Sequence, residues 1–415
     1  MIDYYKSDPI TRRGDLDMST FRIESVDFFY LSMPQVTVAA DGSQDAVVVR
    51  VRGGDYEGWG ECEAAPLPSI AAFVCPISHG ACRPVSDAVL GAQIESPNDI
   101  RAIAAKVAYN SMDLLQAAHT WSGIEMALWD LLGRARGVPV WQLLNWEKAY
   151  AKTPYASVLF GSTPDITLSR AKEIQSNGFR AAKFGWAPFG QSVEADANQV
   201  AAAREGLGPD GILLIDAGQI FGEDVAAAAA RLPAMEAANV MLFEEPFNGH
   251  AYRAYQSLSG QCATVKTAGG EAAHNRHMAE HLIDFGGVGF IQIDCGRIGG
   301  IGPAVDVARY AAERDVVYIN HTFTSNLALS ASIQPYAGLQ NHKICEYPTG
   351  LSALARELAR IRAVLLVVVA TSQPGQPAGA VTQLHGVLEA LGTRLGGSAG
   401  DGRQGTIVLS ARWRV

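Results

Sequence analysis

Paired cysteines are missing from this 415-residue chain. Its six thiols, Cys62, Cys75, Cys82, Cys262, Cys295 and Cys345, are scattered with no CxxC pair and no metal-site spacing. That excludes a disulfide scaffold or zinc ribbon and reads as reduced cytosolic thiols. Positive charge is also short: 33 Lys and Arg against 42 Asp and Glu give a net −9. Such a balance argues against a general nucleic-acid or anionic-membrane binder. Long apolar runs are lacking too, the longest being Ala363 to Ala370, far below the ~20 residues of a membrane span. The opening MIDYYKSDPITRRGDLDM has no apolar signal-peptide core, so residues 1–18 read as a loose leader with Met18 as an alternative start. With 48% hydrophobic and 18% charged residues, the chain has ample material for a large core. A soluble, cytoplasmic protein of two domains, or of one barrel with an appendage, is expected.

From Phe21 to about Gly60 the runs FRIESVDFFYLSM, DAVVVRVRGG and YEGWGECEA, separated by Gly-containing turns, suit an antiparallel meander. From Asn98 to about Leu144 the period becomes helical, with Gly137 as a stop. Residues 19–148 therefore read as an α+β capping domain. From Tyr155 a short apolar run, a polar residue at its end and a helical stretch repeat. YASVLFG, FRAAKFG, GILLIDAG, VMLFEEP, ATVKTAGGE, GFIQIDCG, VVYINHT and HKICEYP are eight candidate strands. Eight such units point to an α/β barrel of (β/α)8 type over 149–358, rather than a doubly wound sheet, which needs no eight strands. The tail, 359–415, differs in kind. From residue 361 it holds five Arg, no Lys, two acids and nine Gly, a net +3 against −12 before it. Such a break is what a reading-frame shift in the coding sequence produces, with a genuine lineage-specific extension as the alternative; on the first reading much of residues 372 to 408 should be mobile.

In a parallel barrel the C-terminal strand ends share one face. Read off the runs, those ends are Lys183, Asp216, Glu244, Glu271, Asp294, His321 and Glu346. Three carboxylates on consecutive strands, Asp216, Glu244 and Glu271, repel one another unless a cation joins them, and oxygen-only ligands favour Mg²⁺. Each acid alone reads as a helix cap or a loop ion pair. The next two strands supply Asp294 and His321, and an Asp that orients an imidazole makes a competent general base.

In this order Lys183, DAGQ at 216, EEP at 244, GGE at 269, DCGRIGG at 294 and NHT at 320 resemble the enolase superfamily, in its mandelate racemase-like subgroup. The intervals of 28, 27, 23 and 27 residues from Asp216 through Glu244, Glu271 and Asp294 to His321 are similar to that pattern. The resemblance covers about residues 20 to 358 and includes ALWDLLGRARGVPVW. It implies a barrel with an N-terminal α+β cap, Mg²⁺ on the three acids, and an Asp–His dyad that removes a proton α to a carboxylate. Lys183 would then neutralise the substrate carboxylate, and Glu346 would either hydrogen-bond its other oxygen or cap a loop. A small-molecule sugar acid is the expected partner, and a homo-oligomer the expected assembly.

Two departures bear on the reaction. Relatives often carry Lys-x-Lys on the second strand, but here Gly185 takes the second position. Gly218 stands where a D-x-N motif has Asn. With a base on one face only, β-elimination of water from a polyhydroxy acid is the economical reading. A cycloisomerase or racemase of a sugar acid or lactone, or a non-catalytic metal- and ligand-binding barrel, is the alternative. Trp186, Phe189, His119 and Trp121 are candidate pocket residues, or ordinary packing between domains.

Overall fold

The computed structural model describes residues 20–33, 36–37, 44–63, 65–350 and the strand 408–414. The leader 1–18 and the stretch 351–407, and with them the expectations placed there, lie outside the described residues.

The N-terminal meander forms as expected. A short β1 (Phe21–Arg22) is followed by β2 (Ser25–Leu31), β3 (Ala46–Gly53) and β4 (Tyr56–Cys62), the last three antiparallel in order. β5 (Gln93–Ile94) pairs with β1. Helix Pro97–Asn110 begins at a capping box in which Ser96 N donates to Asp99 Oδ2 at 2.8 Å. Helix Ala117–Arg136 is buried on nearly all sides and stops at Gly137 in a left-handed conformation (φ 63°). It is sandwiched between the sheet and the barrel. The sheet approaches so closely that a Cβ at Gly58 would lie 2.0 Å from Ala127 O, and one at Gly60 2.1 Å from Gly123 O.

All eight barrel runs are strands: β6 (Thr153–Leu159), β7 (Ala181–Gly185), β8 (Ile212–Asp216), β9 (Val240–Glu244), β10 (Lys266–Gly269), β11 (Phe290–Asp294), β12 (Val317–His321) and β13 (Ile344–Pro348). They pair in parallel in the order β12-β11-β10-β9-β8-β7-β6-β13. Tyr155, Ala181, Leu214, Leu242, Ala268, Phe290, Ile319 and Ile344, one from each strand, fill the interior below the site. Between β12 and β13 a side chain replaces the ladder. Asn320 Oδ1 accepts from Glu346 N (3.0 Å) and from the Tyr336 hydroxyl (2.8 Å), and its Nδ2 reaches Glu346 O (3.4 Å).

The two parts are joined by Glu125 on the long capping helix. Its carboxylate accepts from Ile301 N and Gly302 N, both 2.7 Å, at the start of barrel helix Ile301–Ala312, and from Trp129 Nε1. Beyond the stretch expected to be mobile, β14 (Val408–Arg414) runs antiparallel along the free edge of β2, Val408 opposite Leu31 and Arg414 opposite Ser25. A sheet edge offers unpaired backbone groups to any extended segment, so such pairing makes little demand on side-chain sequence. Among the described residues no helix is long and apolar enough to cross a membrane.

Candidate active site

Strand register sets the site. Asp216 is the partner of Glu244 across β8–β9, and Asp294 the partner of His321 across β11–β12. Lys183, Glu244, Asp294, His321 and Glu346 are buried to 5% exposure or less, and Asp216 to 7%. Buried charge on this scale persists only when paired.

The expected dyad is formed. His321 Nδ1 donates to Asp294 Oδ2 at 2.7 Å, and Asp294 Oδ1 accepts from Gly296 N at 2.6 Å. The other ring nitrogen, Nε2, is 3.1 Å from Glu271 Oε2. Burial opposes the imidazolium, but Glu271, the Asp294 hydrogen bond and Glu346 outweigh it and hold the His321 pKa well above its ordinary value. Arg297 Nη1 donates to Glu271 Oε1 at 3.0 Å, and Arg297 Nη2 to Glu63 Oε1 of the capping domain at 3.1 Å.

Lys183 is the hub of the other half. Its Nζ donates to Glu244 Oε1 at 2.7 Å and lies 2.7 Å from Glu346 Oε1 and 3.5 Å from Asp216 Oδ2. The Glu346 contact is an ion pair without hydrogen-bond alignment. Desolvation disfavours the ammonium, yet Glu244, Glu346 and the neighbouring groups keep the lysine firmly protonated. Glu346 Oε2 also accepts from Thr322 N at 3.0 Å, so this residue holds the loop after His321, the second of its two expected roles.

The three expected metal ligands stand at or just beyond their strand ends but are not gathered around one point. Among the described residues no three His, Cys, Asp or Glu side chains converge tightly enough to hold a metal ion. The cause is visible: Lys183 draws Glu244 and Asp216, whereas His321 and Arg297 draw Glu271. The donor set nevertheless fits a hard cation. Glu244 Oε2 is buried with no hydrogen-bond partner. Burial pushes Glu244 up to about 8, with Asp216, Glu346 and Glu271 adding to it against the pull of Lys183. One ammonium cannot match three carboxylates, so without a second cation the cluster takes up protons instead, and oxygen donors of this kind suit Mg²⁺.

The pocket candidates separate. Trp186 is 36% exposed at the barrel mouth. Phe189 is buried and stacks on Phe160, so it is packing. Trp121 is buried beside Gly299, its Nε1 without a hydrogen-bond partner. His119 shares a hydrogen bond with His274 across the domain junction (3.1 Å), and burial together with His274 and Arg297 lowers its pKa to about 4.

Several residues around the site carried no role in the sequence reading. Arg297 was visible only as part of DCGRIGG, and its link from Glu271 to Glu63 needs the third dimension. Glu245, the second acid of EEP, is buried and accepts from Gln219 Nε2 at 2.7 Å. Glu61, on β4, accepts a hydrogen bond from the Ser325 hydroxyl in the loop that follows His321, while its Oε1 has no partner. Burial, aided by Glu63 and opposed by Ser325, pushes Glu61 up to about 8.

Comparison with known proteins matches both parts of the chain. Residues 167–370 match the family described as enolase C-terminal domain-like, and residues 28–145 match the mandelate racemase / muconate lactonizing enzyme N-terminal domain. A solved structure described as a predicted mandelate racemase from Rhodobacter sphaeroides is 64% identical, with a TM-score of 0.79 over 81% of this chain and 86% of that one. A D-galactonate dehydratase of Klebsiella pneumoniae is 30% identical over 220 residues, 51% of this chain. The match spans 56% of that relative's own length. A D-galactarolactone cycloisomerase of Agrobacterium fabrum is 27% identical over 288 residues, 68% of this chain and 72% of that one.

Proposed function

The chain belongs to the mandelate racemase/muconate lactonizing enzyme group of the enolase superfamily, and from that premise we propose that it is a Mg²⁺-dependent acid-sugar dehydratase. The observation that carries this reading is the buried Asp294–His321 pair, set on adjacent strands beside the Lys183 cluster. Asp216, Glu244 and Glu271 would hold the Mg²⁺, which would supply positive charge where the enediolate develops negative charge. Lys183 faces the substrate carboxylate and holds part of that charge.

His321 acts as the base once Glu271 has turned to the metal and the Nε2 proton has gone to solvent, because the pairing with Glu271 is the largest of the contacts that hold the ring charged. Its ring takes the α-proton, and the C–H electron pair moves into the enediolate. The same nitrogen then returns the proton to the β-hydroxyl as the C–O bond breaks, releasing water and an enol. Ketonisation with a solvent proton completes a 2-keto-3-deoxy acid. Asp294 keeps the Nδ1 proton in place and steadies the imidazolium throughout.

A screen of aldonic and aldaric acids with Mg²⁺, read as 2-keto-3-deoxy product, tests the proposal. Consumption of one or more such acids with loss of water is expected. The cycloisomerase similarity spans more of the chain than the dehydratase similarity, and it favours a second reading in which a lactone or anhydro acid rearranges from the same enolate. An enzyme that consumes only lactones or anhydro acids would overturn dehydration in favour of that reading. Compartment and assembly remain the expectations stated from sequence: a cytoplasmic homo-oligomer.

A further inference from the structure

A base stands on one wall of the barrel mouth, at the end of β12. In the sheet order β8 lies four strands from β12, so the turn after β8 faces His321 across the ring. The loop after β7 packs on that turn: a Cβ at Gly185, the last residue of β7, would sit 2.7 Å from Asp216 Cβ and 3.1 Å from its Cγ and main-chain oxygen. No side chain, lysine included, fits there without displacing β8.

The chain then enters a left-handed conformation at Trp186 (φ 64°), where a bulky aromatic residue is a backbone outlier of the kind found at functional sites. Trp186 N donates to Asp216 O at 3.2 Å. The indole lies against Gly218, itself at φ 54°, where a Cβ would come within 3.1 Å of Trp186 Cδ2. Thus Gly185 and Gly218 clear space, and strained backbone directs one large ring into it. More than a third of Trp186 remains exposed although the strand ends beside it are buried. Ile220, 56% exposed in the neighbouring turn after β8, extends the apolar surface. Packing alone gives no reason to hold an aromatic ring in strain and leave it open.

Resting on the α-proton reading above, we propose that Trp186 is a specificity-determining residue. Its open indole face packs against the C–H face of a sugar acid on the side away from His321. The α-epimer with its hydrogen toward His321 is turned over. The opposite epimer directs that hydrogen at the indole, where nothing accepts a proton.

The test uses C2-epimeric pairs of aldonic acids with Mg²⁺ in D₂O, scoring α-deuterium incorporation and product for wild type, Trp186→Phe and Trp186→Ala. Wild type should act on one member of each accepted pair. Trp186→Ala should raise KM about tenfold or more while kcat falls much less, and Trp186→Phe should retain most of the affinity. The accepted acid should also change tryptophan fluorescence in wild type and not in Trp186→Phe, a readout that survives if the alanine variant fails to fold. Turnover of both epimers, an unchanged KM in folded Trp186→Ala, or an unaltered fluorescence response in Trp186→Phe overturns the wall while leaving the chemistry standing. Absence of exchange by wild type with every pair overturns the α-proton reading and the wall together.

Discussion

Replacing Glu61 by Gln should make the protein progressively more stable than wild type as the pH rises. The carboxyl is buried between β4 and the loop that follows His321, with one oxygen bonded to Ser325 and the other unpartnered. Burial moves it from an ordinary 4.5 to about 8. In the unfolded chain it ionises near its ordinary value, so between about 4.5 and 8 the folded state holds a proton that the unfolded state has lost. Raising the pH through that window therefore costs the fold stability, and above it the cost is constant. A displacement of this size corresponds to on the order of 5 kcal/mol as a ceiling, which local relaxation reduces. Unfolding entropy of about 2 cal/mol/K per residue converts each kcal/mol into roughly 1 °C for a chain of this length. Thermal unfolding of both proteins at one scan rate should give nearly equal midpoints at pH 5. By pH 9 the variant should lead by a few degrees, about 5 °C at most. A midpoint difference that stays flat from pH 5 to 9 refutes the claim that Glu61 is buried and neutral.

His321→Asn should abolish α-proton exchange, a loss of at least about 10²-fold, while Mg²⁺ affinity by calorimetry stays near wild type, because the ring is not counted among the ligands; retained turnover would transfer the base role to Lys183. Asp216→Asn and Glu244→Gln should weaken Mg²⁺ binding and turnover together, and an unaltered binding isotherm in either would remove that residue from the ligand set. Asn320→Ala should cost about 1–3 kcal/mol by orphaning Glu346 N–H at the β12–β13 seam. Faster hydrogen exchange at that amide, seen by NMR or mass spectrometry, is the corresponding local sign, and unchanged protection would mean that water or backbone closes the seam.

Legibility in the sequence followed the range of the interactions. The eight barrel strands and the order of their terminal residues could be read because a buried parallel strand is a short apolar run and the mouth lies at its last residue. The Asp294–His321 contact followed from their positions at the ends of neighbouring strands. What the strand ends could not convey is which neighbour each carboxylate chooses. Lys183 reaches from β7 to acids on β8, β9 and β13, and Glu271 turns to His321 and Arg297, so the acids expected around a single ion are divided between two cationic centres. Contacts between the capping domain and the barrel were invisible for the same reason: Glu61–Ser325 spans 264 positions and Glu63–Arg297 spans 234. The strand at the chain's end was missed because composition speaks of side chains, whereas the edge of β2 selects backbone.

The carboxylate of Glu125 makes each domain dependent on the other. The cap donates it, the barrel helix supplies the two amides that need it, and neither half is chemically complete alone. A barrel grafted beneath a foreign cap inherits bare amides at Ile301 and Gly302, and this cap over a foreign barrel inherits a buried acid with only Trp129 to meet it. A graft between relatives is therefore expected to hold its stability only where it carries both sides of the joint, the buried carboxylate on the cap and the two amides at the start of the barrel helix.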